Sequence, residues 1–393
     1  MNKIDFTNKT VILRTDYNVP IQHGNITSTL RIDSSLHTIN HILNGNPEKL
    51  IIISHMGRPK NNEPELSLLP VKKYLEKVLE QNVGFLTLYD YLSKPETTIT
   101  EKIVLLENIR YYPEETKEIE TTPEFRRKLT SLGDVFINDA FGCSHRPHSS
   151  IVGVNCPERC CGFLVEREKR FLLDIFEDVE REKPVKKDEN ITTLILGGSK
   201  IHDKIQLINN LIPKVDYILI GGGMAFTFLK YFNNEIGKSL FDEEGFRLIP
   251  EIIENAKKHN THLIYPTDFI CNDKFANGGN ITHKDLTTGI PQGFMGLDIG
   301  TKTVDNFKTY IEKSSKIIWN GPLGVFELDD YAEGSHQIMD ALSRSKAITV
   351  IGGGDTASCC DKFGLSDKMS HVSTGGGAAL ELLEGKRLPG LFL

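Results

Sequence analysis

The sequence predicts an α/β protein carrying two parallel sheets, and three observations predict it. Apolar runs rich in Val, Ile and Leu recur along the 393 residues with helix-length stretches between them. Most of these runs end in Gly or Pro turns, the mark of parallel strands buried on both faces. One charged amphipathic stretch, "FLVEREKRFLLDIFEDVEREKPVKKDEN" (Phe163 to Asn190), divides the runs into two groups.

In chain order the first group is "TVILRTDYNVP", "KLIIISHMGRP", "EKIVLLENIRYY" and "DVFINDAFG". The second is "ITTLILGGSK", "VDYILIGGG", "HLIYPTDFI", "SKIIWNGPLG" and "AITVIGGGD". The dividing stretch reads as a helix ending in a Pro- and Lys-containing turn, which places a domain boundary near residue 180.

With 39% hydrophobic and 25% charged residues the chain reads as a soluble globular enzyme. A net charge of -7 argues against nucleic-acid or membrane-surface partners, which require a concentrated basic face. The longest uncharged apolar run, Tyr217 to Leu229, is well short of the roughly 18 residues of a membrane span. The amino terminus lacks the apolar core of a signal peptide, so a cytoplasmic address is expected. Small-molecule partners and a monomeric state are separate expectations. Seven cysteines form an odd set with two adjacent pairs, which suits free thiols better than disulfides. Cys143, His145, His148, Cys156 and Cys160 are metal-capable, but their spacing matches no standard zinc site, and a structural or anion-site role is expected.

In open α/β sheets ligands meet the carboxyl ends of the strands, so the residues following each run carry the chemistry. In the first half these are Asp16 and Asn18, His55 and Arg58, Arg110, and His145 with Arg146; Arg31 adds another guanidinium. Repeated arginines at equivalent strand ends suit phosphate or carboxylate ligands. In the second half the same places are glycine-rich: "GGSKIHDK" from Gly197, "GGGMAF" from Gly221, "WNGPLGVFE" from Trp319 and "GGGDT" from Gly352. Such ends suit a nucleotide. Lys200 and Lys204, spaced one helical turn apart, are expected to face one phosphate group. "GKS" at Gly237 to Ser239 is no P-loop, because Phe232 stands where the first glycine belongs. "GGGDTA" fits a relaxed dinucleotide fingerprint through Gly352, Gly354 and Ala357, but the acid due about 20 residues later is absent. A nicotinamide-dependent dehydrogenase therefore stands only as an alternative.

Taken in order, "RTDYNVP", "SHMGRPK", "LLENIRYYPEE", "INDAFGCSHRPHSS", "ILGGSKIHDKI", "LIGGGMAFTFL", "MGLDIGTKT", "WNGPLGVFE", "VIGGGDTA" and "HVSTGGGAALELLEGKRLPG" closely resemble the phosphoglycerate kinase family over nearly the whole chain. The resemblance implies two Rossmann-like three-layer domains with parallel sheets, joined by a hinge helix. It implies a triose-phosphate-binding domain over residues 1–175, a nucleotide-binding domain over 176–379, and a tail over 380–393 that returns to the first domain. The chain departs from the family in stopping at "LPGLFL", a few residues short of many relatives.

By the same resemblance the activity is reversible transfer of the acyl phosphate of 1,3-bisphosphoglycerate to MgADP in a closed interdomain cleft, giving 3-phosphoglycerate and MgATP. Asp16, Asn18, Arg31, His55, Arg58, Arg110, His145 and Arg146 would hold the triose phosphate. Gly197, Lys200, Lys204, Gly222, Gly223, Gly296, Leu297, Asn320, Glu327, Gly352, Gly353, Gly354, Asp355 and Thr356 would hold the nucleotide. Arg31, Lys200 and Lys204 would be catalytic, and Asp355 would bind Mg²⁺. The acceptor carboxylate, with a pKa of about 3.5, is already ionised and needs no general base. A catalytically silent scaffold of the same fold is the rival reading; it predicts damage at Arg31 or Lys200, and both are present.

Overall fold

The computed structural model describes residues 1–94, 99–179 and 190–391. The first group of runs forms β1 (Thr10–Arg14), β4 (Lys49–Ile53), β6 (Ile103–Leu106) and β7 (Val135–Asn138), with a short antiparallel ribbon, β2 (Ile21–Gln22) and β3 (Asn25–Ile26), after β1. β5 (Val83–Leu86) and β8 (Glu158–Cys161) complete a six-stranded sheet in the order β5-β6-β4-β1-β7-β8, parallel throughout. β4, β6 and β7 are buried along their whole length apart from Lys49, and β1 from Val11 onward, because helices cover both faces.

The second half of the chain forms β9 (Thr192–Leu196), β10 (Tyr217–Ile220), β11 (His262–Ile264), β12 (Asp268–Asn272), β13 (Thr282–Asp285), β14 (Met295–Ile299), β15 (Lys316–Asn320), β16 (Ile348–Gly352) and β17 (His371–Val372), of which β13 and β14 fall outside the second group of runs. Six of these make a second parallel sheet, β11-β10-β9-β15-β16-β17. "HLIYPTDFI" is not one strand. It divides at Pro266 into β11 of the parallel sheet and β12 of a separate antiparallel sheet, β13-β12-β14, since proline cannot donate to a central ladder. The runs also leave β5, β8 and β17 unmarked; all three are sheet edges, short and partly exposed, where no continuous apolar run is required.

Two compact units result, residues 1–170 with 387–393, and residues 171–386. The division falls inside the helix Phe163–Leu172, earlier than residue 175, and the chain rejoins the first unit at 387, later than 380. The helix Gly377–Leu383 belongs to the second unit, where Asn210 Nδ2 donates to Leu383 O at 2.6 Å. The charged stretch is a helix only to Leu172, followed by a 3₁₀ segment over Asp174–Val179; its remainder, 180–189, lies outside the described residues. No described helix is long and apolar enough to cross a membrane.

Residues 387–391 are tied to the first unit by backbone. Asn138 Nδ2, at the end of β7, donates to Gly390 O at 2.8 Å and to Ser144 Oγ at 3.0 Å, and Gly390 N donates to Ser144 O at 2.9 Å. Asn138 is fully buried, so its loss leaves buried groups unpaired. The Asn138→Ala variant is expected to lose about 1–3 kcal/mol in urea unfolding, with faster hydrogen exchange at the Gly390 amide; unchanged exchange there would show that the tail is held by other contacts.

Candidate active site

At the carboxyl edge of the first sheet the basic side chains are held by a framework of buried polar contacts. Arg14 ends β1 fully buried, with Nε donating to Ser150 Oγ at 2.7 Å, Nη1 donating to Thr15 O, and Nη2 3.8 Å from Glu115 Oε1. Glu115, also fully buried, accepts from Ser150 N at 2.8 Å and Ser150 Oγ at 2.6 Å. Burial raises its carboxyl pKa while Arg14 pulls it back. Neither Arg14 nor Glu115 is among the sequence-derived candidates. An arginine inside a continuous apolar run was nevertheless a signal, because a buried charge demands a partner.

Around this pair the expected residues fall into two linked groups. Arg31 Nη1 donates to Asp16 Oδ2 at 2.9 Å and to Asn18 O at 3.2 Å, while Asn18 Oδ1 accepts from Gly57 N at 2.9 Å. Arg110 Nη1 donates to Gly57 O at 2.7 Å. Arg58, Arg110 and Arg146 then line a cleft of about 590 Å³ together with Lys60, Lys117 and His148. Burial, reinforced by Arg14, Arg110 and Arg31, pushes the His55 pKa well below the usual histidine range. His148 is held to about 3 by burial and by Arg110 and Arg14. Both imidazoles are neutral donors and acceptors at pH 7. His145 follows the 3₁₀ turn Phe141–Cys143 and stands within electrostatic reach of His148. The set Cys143, His145, His148, Cys156 and Cys160 does not converge as one ligand group among the described residues; Cys156 Sγ instead donates to Gly133 O at 3.4 Å.

The second unit builds a different surface. Lys204 closes a 3₁₀ turn, His202–Lys204, and Lys200 lies in the loop before it, so the two are not stacked on one helix face. Lys204 Nζ donates to Asn320 O at 3.0 Å and Asn320 Oδ1 at 2.5 Å, whereas Lys200 is exposed. Burial lowers the Lys204 pKa to about 8, against the opposing charges of Asp355 and Asp203. Asn320 Nδ2 donates to Gly352 O at 3.1 Å, and Thr356 Oγ1 accepts from Gly321 N at 2.7 Å. Asn320 and Thr356 therefore join neighbouring strand ends.

β16 runs through Gly353, whose φ of 91° admits glycine at little cost, into the helix Gly354–Lys362, with Asp355 exposed in its first turn. A Cβ at Gly354 would meet nothing within 4 Å, so packing does not demand glycine there and the first helical amides stay open. Gly198, Gly222, Gly223, Gly296, Leu297, Glu327 and Asp355 line a cleft of about 450 Å³. Its apolar wall adds Pro322 and Val325 from the "WNGPLGVFE" strand end, and Leu240 and Phe275, which sequence reasoning missed because they lie outside the strand ends. A Cβ at Gly296 would stand 2.2 Å from Phe226 Cζ, which keeps the floor of this slot flat. Asp298, in the same wall, accepts from Gly334 N at 2.7 Å and Ile299 N at 2.9 Å, and burial pushes its pKa up to about 8.

A family model described as phosphoglycerate kinase matches residues 1–386. The chain belongs to the phosphoglycerate kinase family. The phosphoglycerate kinases of Yarrowia lipolytica and Dictyostelium discoideum are each 44% identical to it, matching 99% and 100% of this chain and 96% of their own lengths. The structure of phosphoglycerate kinase from Coxiella burnetii superposes with a TM-score of 0.88 at 34% identity, covering 100% of this chain and 97% of that one. Membership in the phosphoglycerate kinase family makes the chain a phosphotransferase with a carboxyl acceptor and favours neither the dehydrogenase nor the silent scaffold.

With carbon-13 at its Cε, Lys204 is expected to titrate near pH 8 in a magnetic resonance experiment. Asp355→Asn removes the first of the opposing charges, so the midpoint should move lower still. A midpoint at the ordinary lysine value would mean that Lys204 is solvated.

Proposed function

We propose that this chain reversibly transfers the acyl phosphate of 1,3-bisphosphoglycerate to MgADP, giving 3-phosphoglycerate and MgATP, as a cytosolic monomer acting on small molecules alone. One observation carries the assignment of roles: each unit has an anion-suited surface at its strand ends, arginine-rich in the first and glycine-lined with an apolar slot in the second. Arg58, Arg110 and Arg146 take the phosphate of the triose, neutral His55 adds hydrogen bonds without charge, and His145 adds a further hydrogen-bonding group. Asp16 and Asn18 fix the guanidinium of Arg31, which is thereby aimed before substrate arrives. On the nucleotide side the slot at Gly296, Leu297 and Leu240 accepts the base, Glu327 the sugar, and the open amides at Gly353 to Asp355 the phosphates.

Asp355 suits Mg²⁺. Its carboxylate is exposed and accepts no hydrogen bond among the described residues, and oxygen is the donor that a hard cation prefers. When bound there, Mg²⁺ would neutralise charge on the nucleotide phosphates. The residues do the rest by position. An ionised carboxylate attacks without a base, so catalysis reduces to alignment and charge stabilisation by Arg31 and Lys200, with Lys204 held in place by Asn320.

Arg31→Ala and Lys200→Ala are each expected to lower kcat by roughly two to four orders of magnitude in a coupled assay. A raised KM at unchanged kcat would remove them from the transition state. Asp355→Asn is expected to raise the Mg²⁺ requirement while metal-free ADP binds no worse by calorimetry; equal weakening of ADP with and without Mg²⁺ would make Asp355 a structural residue.

A further inference from the structure

Three neighbouring strands, β4, β1 and β7, each lead at the carboxyl end to one metal-capable side chain: His55, Asp16 and Cys143. All three are nine-tenths or more buried. Cys143 Sγ lies 3.7 Å from His55 Nδ1, and Asp16 Oδ1 lies 3.8 Å from the same nitrogen. The three ligand atoms lie within 4.8 Å of one another.

A tetrahedral zinc ion, with bonds of about 2.3 Å to sulfur and about 2.0–2.1 Å to nitrogen or oxygen, separates its ligand atoms by roughly 3.3–3.6 Å. The His55–Cys143 edge is already close to that value, and the His55–Asp16 edge needs to close by a few tenths of an ångström. Asp16 would bind through Oδ1 while Oδ2 keeps Arg31 at 2.9 Å, so the carboxylate retains an outer partner that fixes its orientation.

We infer that Asp16, His55 and Cys143 form a site for a thiophilic divalent cation, Zn²⁺ or Cd²⁺, with one coordination position open. Binding breaks the Cys143 S–H bond, forms a sulfur–metal bond and releases the proton to water, with no change of oxidation state. The ion brings two positive charges, and the thiolate and Asp16 supply two negative ones. Arg14, Arg31, Arg110 and neutral His148 also face the trio, and the positive field of the three guanidinium groups opposes occupancy. Mg²⁺ is a poor occupant, because it demands octahedral oxygen. Occupancy ties up His55 and Asp16 and so competes with 3-phosphoglycerate, a consequence that rests on the triose-phosphate role proposed for those residues.

The test titrates metal-stripped enzyme with Cd²⁺ and follows the thiolate-to-metal charge-transfer band in the ultraviolet, comparing the parent with Cys143→Ala and Cys143→Ser. The parent should gain a one-equivalent band that both variants lack. Zn²⁺ in excess Mg²⁺ should raise KM for 3-phosphoglycerate in the parent, with at least about ten-fold weaker inhibition in the variants and kinetics with Mg²⁺ but no Zn²⁺ within about two-fold of the parent. A band that is absent from the parent or persists in both variants overturns the site. A band with unaltered KM overturns the inhibition and the triose role of His55 and Asp16, while the cation site stands.

Discussion

A parallel strand buried on both faces can carry polar chemistry only where it ends, and this constraint organises the molecule. β1, β4 and β7 are almost wholly apolar inside the sheet, yet the residues that follow them are aspartate, asparagine, histidine and arginine. β9, β15 and β16 obey the same rule with glycines. The chemistry of each unit is therefore collected along one edge of one sheet.

Charge balance decides what that edge can bind. Arg14 and Glu115 face each other with no exposed surface, and burial, reinforced by Arg14 and Arg110, holds two histidines neutral. The positive field thus comes from groups whose charge does not vary near pH 7, and the imidazoles contribute shape and hydrogen bonding. In the second unit the balance is looser, since Lys204 sits at the margin of ionisation and Asp298 is protonated or ionised according to conditions.

The central strands and their terminal residues were legible because both obey local rules: apolar runs for burial, then turn residues and charges. Asp355 at a glycine-rich helix start is such a case, and so are the strand-end arginines. What was not legible depends on distance in sequence. Glu115 is identified only by Arg14 and Ser150, far away in the chain, and the apolar slot draws on Leu240 and Phe275 from loops without periodicity. Lys200 and Lys204 have helical spacing, but the helix begins at Ile205, so spacing alone misassigned their common face. In "HLIYPTDFI" the proline, which marks a break in the ladder, was the overlooked signal.

The split of the first unit between residues 1–170 and 387–391 bears on how the chain is made. Translation delivers the first sheet early, but Gly390 reaches Asn138 and Ser144 only after the entire second unit has been synthesised. Through that interval the buried amide of Asn138 lacks a backbone acceptor, so the nascent first unit carries an unfilled seam. The amino-terminal half thus becomes fully native last, which gives chaperones and proteases a window on the growing polypeptide that closes when its final segment docks.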